Sequence, residues 1–203
     1  MFSIHTLVFV RHGFTDWNLD GRLQGQLDIP LNAAGRAQAR ILRDHLAAKT
    51  FDRIYTSPLQ RAAETARIIA GDRSVLTDWR IAEIHHGDWQ GKTKREIASR
   101  WPAAWEAWNK QPLQVTSGGG ESPEQIRGRV QDFLRSVAAP TILCVSHGMV
   151  IQTVRAILLG TAHSEDHSAP PENASVHTFY LRQNEVTQYH CSGGPGQKIL
   201  SGK

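Results

Sequence analysis

Leu7-Val8-Phe9-Val10-Arg11-His12-Gly13-Phe14-Thr15 is a short apolar run, rich in β-branched residues, that breaks off directly into an arginine, a histidine and a glycine. Such a run is the signature of a parallel strand covered on both faces, and ligands in open α/β sheets bind just outside the carboxyl ends of such strands. Arg11 offers a planar fork of donors matched to phosphate or carboxylate. His12 can act as nucleophile, proton carrier or metal ligand, and Gly13 lets a bound group come close to the backbone.

Counting the quoted strand at 6–10 as the first, strand-like runs recur at 53–56, 75–77, 141–145 and 175–181, with a weaker one at 185–190. Helical patterns lie between the first four. One spans 32–48 from Asn32. A second spans 58–70, with Ser57 as N-cap and Pro58 at the first helical position. Ser122-Pro123-Glu124-Gln125 opens a capping-box helix to about 138, and a fourth covers 148–159. The alternation predicts an α/β fold, a three-layer α/β/α sandwich on a mostly parallel central sheet.

Residues 88–121, where Gly, Pro and Trp interrupt the alternation, read as a helical, lid-like insertion over the C-terminal edge of the strands. One catalytic domain is expected over 1–191, and a loose tail over 192–203, which contains Gly193-Gly194-Pro195-Gly196.

Three strand ends carry polar residues of one chemical kind: Arg11-His12, Ser57-Pro58-Leu59-Gln60-Arg61, and Ser146-His147-Gly148. In a parallel sheet they share an edge. Arg61 falls in the first turn of one helix and Gly148 opens the next, adding unpaired N–H donors and positive dipole ends. That is a site for an anion. A phosphate monoester carries about −1.5 to −2 charges at neutral pH, which two arginines and a histidine would balance. His12, oriented through its other ring nitrogen, could then take the phosphoryl group in line and pass it to water. The leaving alkoxide needs a proton, for which Glu83 is the candidate, with Asp88 and Glu121 as weaker alternatives.

The remaining composition excludes more than it adds. With 203 residues, 40% apolar and 21% charged, the chain is an ordinary globular sequence. Its formal charge of +4 comes from scattered Lys and Arg, which argues against nucleic acid. Cys144 lies in an apolar run and Cys191 near the tail, so neither a disulfide scaffold nor a Cys-rich metal site is indicated. His85-His86 matches no compact metal motif. No stretch reaches the roughly 18 apolar residues of a membrane span and no signal-peptide pattern precedes Arg11, so a cytoplasmic protein is expected. Trp101, Trp105 and Trp108 recur at helical spacing, as core or as a pocket wall. Lys92, Lys94, Arg95 and Arg100 read as a solvated face, with one or two in reach of a second acidic group as the minority reading.

Taken together, Arg11-His12-Gly13-Phe14-Thr15 with Trp17-Asn18, Ser57-Pro58-Leu59-Gln60-Arg61-Ala62 with Thr65-Ala66, Glu83-Ile84 with Gly87-Asp88-Trp89-Gln90-Gly91, and Ser146-His147-Gly148 resemble the histidine phosphatase superfamily. The likeness is to its phosphoglycerate-mutase-like branch, of the small-molecule phosphatase type, and runs from about residue 6 to 155. It implies His12 as the phosphorylated residue, Arg11, Arg61 and His147 as the phosphate pocket, and Glu83 as proton donor. It also implies Asn18, Gln24 and Gly25 as further binding residues, with no metal and no cofactor. Phe14 departs from the motif, which often has an acidic residue there, and this bears on substrate identity.

The expected activity is therefore metal-independent hydrolysis of a small phosphorylated metabolite. The rivals are a phosphoglycerate-type mutase, a protein phosphohistidine phosphatase and a non-catalytic phosphate binder. Sugar phosphates, phosphoglycerate derivatives, nucleoside phosphates and cofactor-precursor phosphates all satisfy these features, and the oligomeric state stays open, a homodimer included.

Overall fold

Alternate side chains of a strand go to opposite faces of its sheet, and the quoted run does this with apolar residues on both sides. The computed structural model describes residues 6–160, 171–182 and 185–193, with Thr6–Arg11 forming β1. Leu7 and Phe9 pack on one face with Ile142, Cys144, Ile126, Phe133, Val150 and Val154. Val8 and Val10 pack on the other with Leu143, Val145, Leu42, Leu46, Ala66 and Ile69. Each fully buried side chain of this size contributes about 1.5–3 kcal/mol, so the two faces together commit the strand to the middle layer.

The helices that supply these partners are, on the first face, α6 (Pro123–Ser136) and α7 (Gly148–Leu158) and, on the second, α2 (Ala33–Leu46) and α3 (Gln60–Ala70). The sheet has the order β3-β2-β4-β1-β5-β6, from Leu76–Thr77, Arg53–Thr56, Thr141–Ser146, β1, Val176–Arg182 and Glu185–Ser192. β3, β2, β4 and β1 run parallel, and β5 and β6 close the sheet antiparallel. The expected three-layer fold with a mostly parallel sheet is the one observed.

Register puts the polar strand ends level: Arg11 lies opposite Ser146, and Thr56 opposite Val145. The chain beyond β1 is pressed against α2. A Cβ on Gly13 would come within 2.5 Å of the Gly35 carbonyl oxygen, and one on Gly35 would collide with the Phe14 carbonyl oxygen. Glycine at both positions allows that approach.

The start of α3 differs from expectation. The helix begins at Gln60, and its N-cap, Leu59, makes no side-chain cap. Asp28 does that work from another loop, accepting from Gln60 N at 2.6 Å. Ser57 lies ahead of the helix, its hydroxyl pairing with His147 and accepting from Leu59 N. Asn32 and Ser122 do cap α2 and α6, the latter in a full capping box with Gln125.

Between β3 and α6 lie a 3-10 turn at Gly87–Trp89 and two helices, α4 (Lys94–Arg100) and α5 (Pro102–Lys110). Leu23, Trp89 and Ile97 make a small core of their own there, against which Trp101, Trp105 and Trp108 pack. β6 continues through Ser192, one residue into the segment expected as the tail. Residues 194–203 lie outside the described residues.

Candidate active site

A cavity of about 370 Å³ opens at the carboxyl edge of the parallel strands. Arg11, His12, Asn18, Gln24, Gly25, Arg61, Glu83 and Gly148 all line it. His147 adjoins the cavity from the protein interior. It is fully buried behind it, its ring 5.1 Å from that of His12.

His12 sits immediately past β1 and is buried. Its Nδ1 lies 2.7 Å from the Gly13 carbonyl oxygen, which can only accept, so Nδ1 carries the proton and Nε2 holds the lone pair. Burial, then the charges of Arg61 and Arg11, hold the imidazole well below its ordinary range. His12 is thus a neutral, tautomer-fixed base or nucleophile.

Each cation is braced by backbone carbonyls. Arg61 donates Nη1 to Leu27 O at 2.8 Å and Nη2 to Gly25 O at 2.6 Å, while Arg11 donates Nη1 to Pro171 O. Gly25, expected at the phosphate, lines the cavity and also braces Arg61 through its carbonyl. Burial lowers Arg61 to about 10, an effect that Glu83 opposes. His147 Nε2 lies 2.7 Å from Ser57 Oγ, and that oxygen also accepts from Leu59 N. A serine hydroxyl that donates to Nε2 leaves the proton of His147 on Nδ1.

Arg11 Nε, Arg61 Nε and His147 Nδ1 are all buried and without a protein partner, the last a donor when Ser57 donates to Nε2. A buried unsatisfied donor costs about 1–3 kcal/mol. Three around one histidine mark a place for an anion.

Glu83 follows a one-turn 3-10 segment, Trp79–Ile81, which returns the chain to this edge. Arg129 fixes that return, donating to the carbonyls of Arg80 (2.7 Å), Ala82 (2.7 Å) and Glu83 (3.3 Å). The buried Glu83 carboxyl is raised above the usual carboxylate range by desolvation, against the pull of Arg61 and Arg11. The two alternative carboxylates are placed elsewhere: Glu121 is tied to Arg129 at 2.6 Å, and Asp88 is exposed and off the cavity wall.

Asn18 is both a capping and a lining residue. It completes a capping box with Thr15 at the start of α1 (Asp16–Leu19) and faces the cavity. Phe14 does not line the cavity. Trp105 and Trp108 do, along with Lys94, Asn109 and Pro112, so the aromatic stripe is at once core and pocket wall.

Sequence reasoning missed Arg22, His86, Gln152 and Asn173, which also line the cavity. His86 has no motif of its own, and Arg22 sits in an unpatterned loop. Asn173, two residues after a pair of prolines and ahead of a strand, reads only as a turn residue.

A buried histidine freed for attack, beside orphaned donors and a carboxyl raised above its usual range, defines a phosphoryl-transfer enzyme. The sequence profile of the histidine phosphatase superfamily (branch 1) matches residues 7–191, and the chain belongs to that superfamily. It is similar to phosphoserine phosphatase 1 of Hydrogenobacter thermophilus, with 35% identity over 183 residues and 87% of each chain covered. The metal-independent phosphoserine phosphatase of Arabidopsis thaliana is 34% identical over 193 residues, which are 90% of this chain and 79% of that one. The solved structure of mycobacterial glucosyl-3-phosphoglycerate phosphatase with VO3 superposes with a TM-score of 0.78 at 31% identity, covering 93% and 97% of the two chains. The protein is a phosphatase that hydrolyses phosphate monoesters.

Proposed function

We propose that this enzyme hydrolyses a small phosphorylated metabolite through a phosphohistidine on His12. Arg11, Arg61 and His147 hold the phosphoryl group, joined by Asn18, Gln24 and the Gly148 end of α7. His12 Nε2 attacks phosphorus as the ester oxygen leaves, and Glu83 gives that oxygen its proton. Glu83, now a carboxylate, takes a proton from water as the water attacks the phosphohistidine. Phosphate leaves and His12 is neutral again.

The observation that carries this reading is the set of buried, unpartnered donors of Arg11, Arg61 and His147 around a histidine whose Nε2 is free. Substrate size follows from the cavity of about 370 Å³, to whose wall Lys94, Trp105, Trp108, Asn109 and Pro112 contribute. We read residues 88–121 as a lid on a single domain spanning 1–191, and 192–203 as a tail. Relatives named for phosphoserine and glucosyl-3-phosphoglycerate support a phosphorylated organic acid or sugar acid as substrate. The reaction needs no metal or cofactor in this scheme. We assign the enzyme to the cytoplasm, where such esters are made and where free thiols such as Cys144 and Cys191 persist.

Phosphate release from a panel of monoesters, measured in chelator and repeated with His12→Ala, tests the scheme. Release by the native protein that survives chelation, and a loss of several orders of magnitude in the variant, is expected. Activity that vanishes with chelator, or interconversion of phosphoglycerate isomers without release, would contradict it.

A further inference from the structure

Residues 171–175 wrap the end of β1. Ala174 N donates to the carbonyls of Arg11 (3.1 Å) and His12 (3.2 Å), Arg11 N donates to Ser175 O at 3.1 Å, and the Arg11 guanidinium reaches Pro171 O. Ala174, fully buried, is the one non-glycine residue with positive φ (59°) among the described residues. That conformation costs about 1–2 kcal/mol and persists where surrounding contacts over-determine it.

The turn holds the buried side chain of Asn173 over the nucleophile. Asn173 Nδ2 lies 3.0 Å from His12 O, 3.3 Å from Gly13 O and 3.3 Å from Asn18 Oδ1. The amide orientation follows from these neighbours. Two are carbonyl oxygens, and the third accepts from Thr15 N at 3.1 Å, so it too is an oxygen. Three acceptors can face only the NH2 group.

Two consequences bear on the reaction. The Gly13 carbonyl that Asn173 grips is the one that accepts from His12 Nδ1 and so leaves Nε2 free. And Asn18, its oxygen committed to Thr15 and Asn173, has its own NH2 left over on a residue that lines the cavity.

We propose that Asn173 is a positioning residue for phosphoryl transfer, holding the Gly13 carbonyl that orients His12 and turning the Asn18 amide so that its N–H groups serve the transferring phosphoryl. The inference rests on His12 being the nucleophile and adds a residue that touches neither the reacting atoms nor the substrate phosphorus.

The test compares native protein with Asn173→Ala and Asn173→Asp, using p-nitrophenyl phosphate as substrate and inorganic phosphate and vanadate as inhibitors. Vanadate takes up the five-coordinate geometry of phosphoryl transfer and phosphate does not. In Asn173→Ala the expected result is kcat lower by about 10- to 100-fold, with vanadate inhibition weakened by about 10-fold and phosphate inhibition by less than about 3-fold. In Asn173→Asp a carboxylate faces three acceptors at neutral pH, whereas a protonated carboxyl can donate to one. Its activity relative to native protein should therefore rise as pH falls, which a merely structural role would not produce. Unchanged kcat and an unchanged vanadate-to-phosphate ratio in folded Asn173→Ala overturn the proposal. If thermal unfolding shows that variant unfolded, Asn173→Asp decides, and a relative activity flat with pH overturns it. Failure of the nucleophile assignment is distinct, because then His12→Ala would keep turning over p-nitrophenyl phosphate.

Discussion

In the proposed mechanism His12 attacks only while Nε2 is unprotonated, and Glu83 serves the leaving group only while it is protonated. Burial moves the two in opposite directions, His12 well below the imidazole range and Glu83 above the carboxylate range. The acid limb of kcat/KM, from protonation of His12, should then lie well below pH ~6.5, and the alkaline limb, from ionisation of Glu83, above pH ~4.5. Glu83→Gln should lower kcat/KM by about 10²–10⁴-fold on an alkyl phosphate and by less than about 10-fold on p-nitrophenyl phosphate, whose phenolate leaves without a proton. The ratio kcat/KM isolates the first transfer, so the later need for Glu83 as base does not blur the comparison. Equal losses on both esters would remove Glu83 as proton donor. The residues at this scale were the most legible in the sequence, since Arg11, His12, Arg61 and His147 each follow a recognisable strand. Glu83 follows no strand of comparable length, because the two-residue β3 and a 3-10 turn bring it back.

At the scale of elements, the strands and major helices could be read from periodicity and caps, and the errors fall where the site overrides a local rule. Ser57-Pro58 has the form of a helix start, yet the hydroxyl goes to His147 and Asp28 caps α3 from 32 positions away. No local pattern signals a cap supplied across the fold. The turn at 171–175 is invisible for the same reason: its left-handed Ala174 is set by contacts with β1. The close passage of Gly13 against Gly35 gives a test of this layer. Gly13→Ala should destabilise the protein by about 1–3 kcal/mol in urea unfolding, since the clash is with backbone that cannot swing aside. Turnover should fall as well, as His12 is the preceding residue. A variant with native stability would mean that α2 does not press on this segment.

For the whole molecule, the cost of building an anion site into the middle of a domain should appear as acid sensitivity. His12 and His147 are held well below the ordinary imidazole range, and burial lowers His86 and His177 to about 4. Each is neutral in the native state, while its unfolded counterpart takes up a proton below pH ~6.5. Stability is therefore fully present above pH ~6.5 and is lost as pH falls toward the folded values, by about 1.4 kcal/mol per pH unit per histidine. The urea midpoint should drop steeply between pH 7 and 5, and phosphate at 100 times its Kd should restore about 2.7 kcal/mol. A midpoint unchanged across that range would mean that these histidines are not buried as neutral groups. Substrate identity is the level least legible in sequence. It depends on which parts of residues 88–121 turn toward the cavity, and Lys94, with the look of a solvated residue, lines it alongside Trp105 and Trp108.

The central claim is that phosphate passes through His12. The most direct measurement mixes the native enzyme with substrate, quenches in alkali, where phosphohistidine survives, and maps the phosphorylated peptide by mass spectrometry. The account predicts a phosphoenzyme, formed within one turnover, with the group on His12 and no trace of it in His12→Ala. A phosphorylated residue elsewhere, or turnover with no phosphoenzyme and inverted configuration at phosphorus, would contradict it.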